Sequence, residues 1–321
     1  MRRIPLAAIR EAADFVYQAA IRTPLVRLDL PFGDGSGGAE IFLKLESLQP
    51  IGSFKIRGAW NAVRALPPET LAQGVWTVSA GNAAQGVAFA ARRAGAACSV
   101  MVMDTAPETK LQSIERLGAS IVKTTYDECW KTVEQHKSDR MKGHFVHPFD
   151  DDRFIAGNGT AALEILQDLP DVDTIIAPLG GGGLLAGIGS AMRELKPEVK
   201  IFAAEPETAA PLALSLERGE PSYFPGWTRS FVDGAGGKSV LPTMWPLLRD
   251  LVQGSIVVSL DEARDAMGRT ADRVHVIAEG AAACAVAAAL SGRAGGGKIV
   301  AVVSGGNIDL KRFADLTGAC A

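Results

Sequence analysis

Lys55 lies in the stretch Leu48-Gln-Pro-Ile-Gly-Ser-Phe-Lys55-Ile-Arg-Gly58, directly after a Gly-Ser turn and at the head of an apolar helical run. There its ammonium stands near the positive end of a helix dipole, which disfavours the charged form. Burial beside Phe54 acts in the same direction. A lysine with a lowered pKa is a nucleophile and forms a Schiff base with an aldehyde. A lone lysine is far more often a solvated surface residue, but two other stretches change that reading. Pro178-Leu-Gly180-Gly181-Gly182-Gly183-Leu follows a strand-like run and opens a helix. Its backbone N–H groups can converge on a phosphate, and glycine lets the backbone approach closely. No Gly-Lys-Ser/Thr follows, so it is not a nucleotide P-loop; a tight strand–helix turn is the bland alternative. In Ser79-Ala80-Gly81-Asn82, the asparagine can donate to a phenolate-like oxygen or serve as an ordinary N-cap. Ser304 opens Ser-Gly-Gly-Asn307 after an apolar run and offers either a hydroxyl or only a glycine turn.

The elements that must hold these residues read as alternating patterns. Leu6, Ile9, Phe15 and Val16 predict a helix over 6–20, broken at Arg22-Thr-Pro-Leu25. A strand at 41–45 precedes the lysine helix, and Pro67-Pro68 marks a loop. Strands at 75–78, 99–103 and 120–123 then alternate with helices at 83–93, 107–117 and from 127. Later strands fall at 174–177, 200–204, 255–259 and 298–303, with helices between. This predicts an α/β chain with parallel-type twisted sheets covered by helices. The run Ala281–Ala289 predicts a closely packed helix. Gly33, Gly35 and Gly38 match the dinucleotide pattern G-x-G-x-x-G. With no strand expected before them and a strand rather than a helix after, they read as a flexible hairpin loop.

The 321 residues are 47% hydrophobic and 21% charged, enough for one large core or two domains. A formal net charge of −3 gives no basic field for nucleic acid. No apolar run reaches the ~18 residues a membrane helix needs. The basic N-terminus meets Arg10 and Glu11 too soon for a signal-peptide core. Cys98, Cys129, Cys284 and Cys320 show neither paired nor metal-type spacing, and a reducing cytoplasm is the simplest fit.

Together the lysine, asparagine and glycine stretches resemble the pyridoxal-phosphate enzymes of the second fold type, the tryptophan synthase β-subunit family. Within it they are most similar to the threonine/serine dehydratase and serine racemase branch. The resemblance spans Thr23 to Asp309. It implies a large domain of residues 1–73 and 149–321 and a small one of 74–148. Pyridoxal 5′-phosphate would lie in the cleft between them, at the C-terminal ends of the strands. It implies that Lys55 carries the cofactor and takes the substrate α-proton, that Gly180, Gly181, Gly182 and Gly183 hold the phosphate, and that Asn82 bonds the 3′-oxygen. Phe54 would pack near the ring, and Ser304 would face the pyridine nitrogen. A neutral hydroxyl there suits elimination better than transamination. The implied reaction converts a β-hydroxy-α-amino acid of the threonine/serine type to a 2-oxo acid and ammonia. A homodimer without a regulatory domain is implied as well.

Departures from the family fall on the substrate side. Ser79, Ala80, Gly81, Asn82 and Ala83 form the expected substrate segment. Ala80 stands where serine racemases have an acid/base serine and has no proton to give, which opposes racemisation. Ala83 replaces a histidine, and Trp130 falls on an arginine that helps bind substrate. An aromatic wall at Trp130 would suit a bulky substrate such as phenylserine; the alternative is that Trp130 belongs to a helix core. The family's cation site would use Glu205, but Pro211 stands where a second acid is needed, so the site is weakened or lost. Lys238 is a candidate cation for the substrate carboxylate, and Glu279 either lines the cofactor pocket or caps a helix. Racemisation, β-replacement and cofactor binding without catalysis are the rival readings.

Overall fold

The computed structural model describes residues 2–29 and 38–318. Gly33, Gly35 and Cys320 lie outside the described residues, while Cys98, Cys129 and Cys284 are buried free thiols. The chain opens with α1 (Leu6–Val16), β1 (Leu25–Arg27), β2 (Glu40–Lys44), α2 (Lys55–Arg64) and α3 (Pro68–Ala72). It continues through β3 (Val75–Val78), α4 (Asn82–Arg93), β4 (Cys98–Met103), α5 (Glu108–Glu115), β5 (Ser120–Thr124), α6 (Tyr126–Gln135) and β6 (His144–Phe145). Next come α7 (Asp152–Asp168), β7 (Thr174–Pro178), α8 (Gly183–Leu195), β8 (Lys200–Pro206), α9 (Pro211–Arg218) and α10 (Trp245–Leu251). The last elements are β9 (Gly254–Val258), α11 (Leu260–Val274), α12 (Gly280–Leu290), β10 (Lys298–Val302) and α13 (Leu310–Thr317).

The strands form two sheets. The four-stranded sheet runs β5-β4-β3-β6 and is parallel throughout. The six-stranded sheet runs β1-β2-β10-β7-β8-β9. Its β7 is buried along its whole length, as is β10 from Ile299 to Val302, as expected of parallel strands covered on both faces. The edge strand β1 is the exception, pairing antiparallel with β2. This corrects the expectation that no strand precedes Gly33: β1 does, and it pairs with the β2 that follows. Residues 281–289 are all buried in α12, where alanine lets the helix lie close to α11 and to β7, β8 and β10.

The lysine helix α2 is held between α4 and α7 by backbone-close contacts. A Cβ on Gly58 would lie 2.2 Å from the Phe154 ring, and one on Gly157 would lie 2.4 Å from the Arg57 carbonyl oxygen. Any side chain at either position would push the helices apart. Charge fixes the third side of α2. The fully buried Arg57 guanidinium bonds both oxygens of Glu46, at 2.8 Å each, and both of Glu164, at 2.6 and 2.9 Å. Lys44 Nζ joins Glu164 Oε2 at 2.5 Å and the Thr23 carbonyl at 2.6 Å. Thr23 and Tyr17 complete the network with hydroxyl donations to Glu46 and Glu164. Paired, hydrogen-bonded charges of this kind survive burial where isolated ones do not. They tie α2 to β2 and α7.

Candidate active site

Lys55 is the first residue of α2, and its neighbour Phe54 is the N-cap. The amine donates to the Pro148 carbonyl at 2.6 Å and stands 5.3 Å from the centroids of both the Phe54 and Phe154 rings. No carboxylate pairs with it among the described residues. Burial therefore lowers its pKa to about 8, as desolvation does to any ammonium without a counter-ion.

The loop before α2 is pinned to the loop after β10. Phe54 N–H donates to the Ser304 carbonyl (3.0 Å) and Gly306 N–H to the Gly52 carbonyl (2.9 Å). The Asn307 amide donates to the Ile51 carbonyl and to Asn82 Oδ1, both at 2.8 Å. Asn82 in turn donates to Glu279 Oε1 at 2.7 Å. Asn82 is thus not an N-cap: Gly81 holds that position in α4, and no side chain caps it. Glu279 makes no side-chain cap on α12 either. Burial raises its carboxyl to about 7, against the lowering effect of the Asn82 bond. Ser304 is buried at the same junction. These bonds join Phe54, Ser304, Asn307, Asn82 and Glu279 at one junction, with Lys55 next to Phe54 in the chain.

The glycine run closes another side. Gly182, at φ +90°, is the N-cap of α8, a conformation that favours glycine. A Cβ on Gly181 would lie 2.0 Å from the Phe149 ring, and one on Gly180 would lie 2.5 Å from the Gly234 carbonyl oxygen. The N–H groups of Gly180, Gly181, Gly182 and Gly183 meet no acceptor among the described residues. Four free donors at a helix N-terminus, on a backbone no side chain can cover, fit a phosphate dianion. The Ser53 hydroxyl is likewise buried without a partner. An amine for an aldehyde, an amide for a phenolic oxygen and a hydroxyl for a ring nitrogen complete a donor set that suits pyridoxal phosphate.

Other expected residues are placed differently. The Ser79 hydroxyl accepts from Gly81 N–H at 3.1 Å, and Ala83 is buried in the first turn of α4. Trp130, half-buried on α6, packs against the core and donates to Glu134 Oε1 at 2.8 Å. Glu205 is spent on α9: it accepts from Leu212 and Ala213 N–H, at 2.8 Å each, and from the Ser255 hydroxyl at 2.5 Å. Lys238 Nζ lies 4.3 Å from the Tyr126 ring centroid and 4.4 Å from that of Trp227. It therefore reaches from the large sheet's loops to α6.

Sequence reasoning missed the turn 147–150. His136, His147 and Asp150 bring potential ligand atoms within 4.8 Å of one another, but the ring nitrogens of His147 are taken. Nδ1 accepts from Asp150 N–H (2.7 Å) and Phe149 N–H (3.3 Å), so the proton sits on Nε2 and is donated to the Val133 carbonyl at 3.1 Å. No lone pair is left for a metal, and Arg2 and Thr243 also occupy Asp150. The dipeptide His147-Pro148 carried no periodicity or charge pattern that could have marked it as a neighbour of Lys55.

The family profile described as "Pyridoxal-phosphate dependent enzyme" matches residues 16–305. The chain is 40% identical over 312 residues to an L-threonine ammonia-lyase of Geobacter sulfurreducens, covering 96% of this chain and 77% of that one. It is 40% identical over 284 residues to the serine racemase of Homo sapiens, covering 85% and 83%. Among solved structures, maize serine racemase superposes with a TM-score of 0.88 at 32% identity, covering 99% and 98%.

Proposed function

Because this chain belongs to the pyridoxal-phosphate dependent enzymes, we propose that it is a lyase of the threonine/serine ammonia-lyase type. It would convert a β-hydroxy-α-amino acid to a 2-oxo acid and ammonia. The observation that carries this reading is the Lys55 amine: buried beside two aromatic rings and, among the described residues, bonded only to a carbonyl. The cofactor, when bound, supplies an electron sink for the bond broken at the substrate α-carbon.

The protein's own groups do the rest. Gly180 to Gly183 would hold the cofactor's phosphate, Asn82 its phenolic oxygen and Ser304 its ring nitrogen, with Phe54 beside the ring. The Lys55 amine, its pKa lowered towards neutrality, takes the α-proton as general base. Where serine racemases have their acid/base serine on the face opposite the lysine, this chain has Ala80, which has no proton to give. A base on one face without an acid on the other favours elimination over racemisation. In this reading the small domain would be residues 74–148, and the cleft between it and the remainder would take the cofactor. A homodimer in the cytoplasm fits this reading, and no described helix is long and apolar enough to cross a membrane.

A preference for an aryl substrate such as phenylserine is the second reading. It rests on the small Ala83 and on Trp130 presenting part of its ring on α6. The test measures 2-oxo acid from L-threonine, L-serine and L-threo-phenylserine with cofactor-loaded enzyme, alongside Lys55→Ala. Turnover of threonine and serine is expected, and none in the variant. Turnover that survives in Lys55→Ala would remove the assignment, and strong preference for phenylserine would favour the second reading.

A further inference from the structure

Among the described residues His147 makes no hydrogen bond to the cradle of N–H groups or to Lys55, yet it holds what bonds or packs against both. Its ring faces Val133 and His136 from α6 and the segment after it, Asp150 from its own turn, and Phe149 edge-on at 4.6 Å between centroids. The Pro148 carbonyl, at the centre of the turn it clamps, is the sole hydrogen-bond partner of the Lys55 amine among the described residues. The next residue, Phe149, lies over Gly181. The turn thus meets three parts of the site: α6, the lysine and the phosphate cradle.

We propose that His147 is a positioning residue for Lys55, its unprotonated Nδ1 gathering the Phe149 and Asp150 N–H groups so that the Pro148 carbonyl is aimed at the amine. A carbonyl held there takes one amine hydrogen and fixes where the remaining nitrogen substituents and lone pair point. Misdirecting a catalytic group by about 1 Å costs on the order of 100-fold in rate. Only the neutral imidazole can do this, because an imidazolium would turn a third N–H towards the two donors of the turn. Burial, with the nearby His136, holds the ring well below its ordinary pKa, in keeping with that requirement. The inference rests on the reading that Lys55 is the reacting amine.

Two variants of similar size separate the two ends of the ring. In His147→Asn the side-chain oxygen takes the place of Nδ1 and can still gather the turn, while the bond to Val133 is lost. In His147→Gln the amide nitrogen takes the place of Nε2 and the turn loses its acceptor. The glutamine variant is expected to lose roughly 10- to 100-fold in kcat, with KM changed by less than about threefold. It should also shift the pH midpoint of the holoenzyme's cofactor absorbance. The asparagine variant should keep most of kcat and the wild-type midpoint. Equal losses in the two variants, a loss confined to KM, or no shift in the glutamine variant would overturn the proposal. Should the glutamine variant not fold, nitrogen NMR of histidine in the wild-type holoenzyme decides. The proposal requires a ring protonated at Nε2 that does not titrate where free histidine does; a titrating His147 overturns it. The absorbance and NMR arms need only the cofactor on Lys55, so they stand even if the wild type forms no oxo acid and the lyase reading fails.

Discussion

Two cations of α2, Lys55 and Arg57, stand two residues apart in opposite surroundings. Arg57 is fully buried and meets two carboxylates. Burial works against its charge, but Glu46 and Glu164 more than offset this and raise its pKa above the ordinary value. Among the described residues Lys55 meets no carboxylate, only a carbonyl and two ring faces, and its pKa falls. One charge is locked and structural; the other is left uncompensated and ready to react. A helix anchored through its third residue can carry a group at its first whose own environment is unfavourable, because the stability that holds the group in place comes from elsewhere.

The sharpest way to break this comparison is to remove the locked charge. Arg57→Met leaves Glu46 and Glu164 buried without their main partner. Removing one member of a buried pair costs about 3–5 kcal/mol, a large fraction of a typical total of roughly 5–15 kcal/mol. The urea midpoint should fall steeply; an unchanged midpoint would show that the network carries no stability. A smaller effect is expected at Glu205, a buried acid paired only with N–H and hydroxyl donors at the start of α9. Glu205→Gln should cost about 0.5–2 kcal/mol, the range for a lost helix cap, and a chelator should change neither protein. Burial raises this carboxyl to about 7 from 4.5. The folded state therefore binds more protons between those values, and the wild type loses stability as pH rises through that window. Glu205→Gln should lose less; destabilisation of the wild type alone by a chelator would restore the metal reading.

The contrast between these charges also marks what a sequence can disclose. The longer strands and the helices were legible because parallel sheets and their covering helices impose long apolar periodicities, whereas the two short strands β1 and β6 were not. Lys55 and Gly180 to Gly183 were legible because a turn, a strand end and a helix start gave each a chemical meaning. Arg57, Glu46, Glu164 and Lys44 were not legible as a network, since their meeting depends on how α2, β2 and α7 pack. The bonds from Asn82 to Glu279 and Asn307 join segments about 200 residues apart, and no local pattern encodes them. Glu205 was visible only through its likeness to a cation ligand, whereas its role as an acceptor for α9 depends on the turn that brings Leu212 and Ala213 back to it.

The smallest expected effect on stability falls on the residue with the largest expected effect on turnover. Lys55→Met keeps an apolar stem out to the Cε position but removes an amine that has no carboxylate partner among the described residues. With both proteins free of cofactor, the variant's urea midpoint near neutral pH should equal or exceed that of the wild type. The pH dependence follows from the lowered pKa of Lys55, about 8 against 10.5 in the unfolded chain. Below about 8 both states hold the proton, and the penalty of enclosing the charge is fully present in the wild type. Between about 8 and 10.5 the unfolded state binds more protons than the folded one, so wild-type stability rises with pH. Any advantage of Lys55→Met should therefore be greatest near neutrality and shrink through that window. A methionine variant markedly less stable than the wild type at neutral pH would mean that Lys55 has a compensating partner after all, and the contrast with Arg57 would fail.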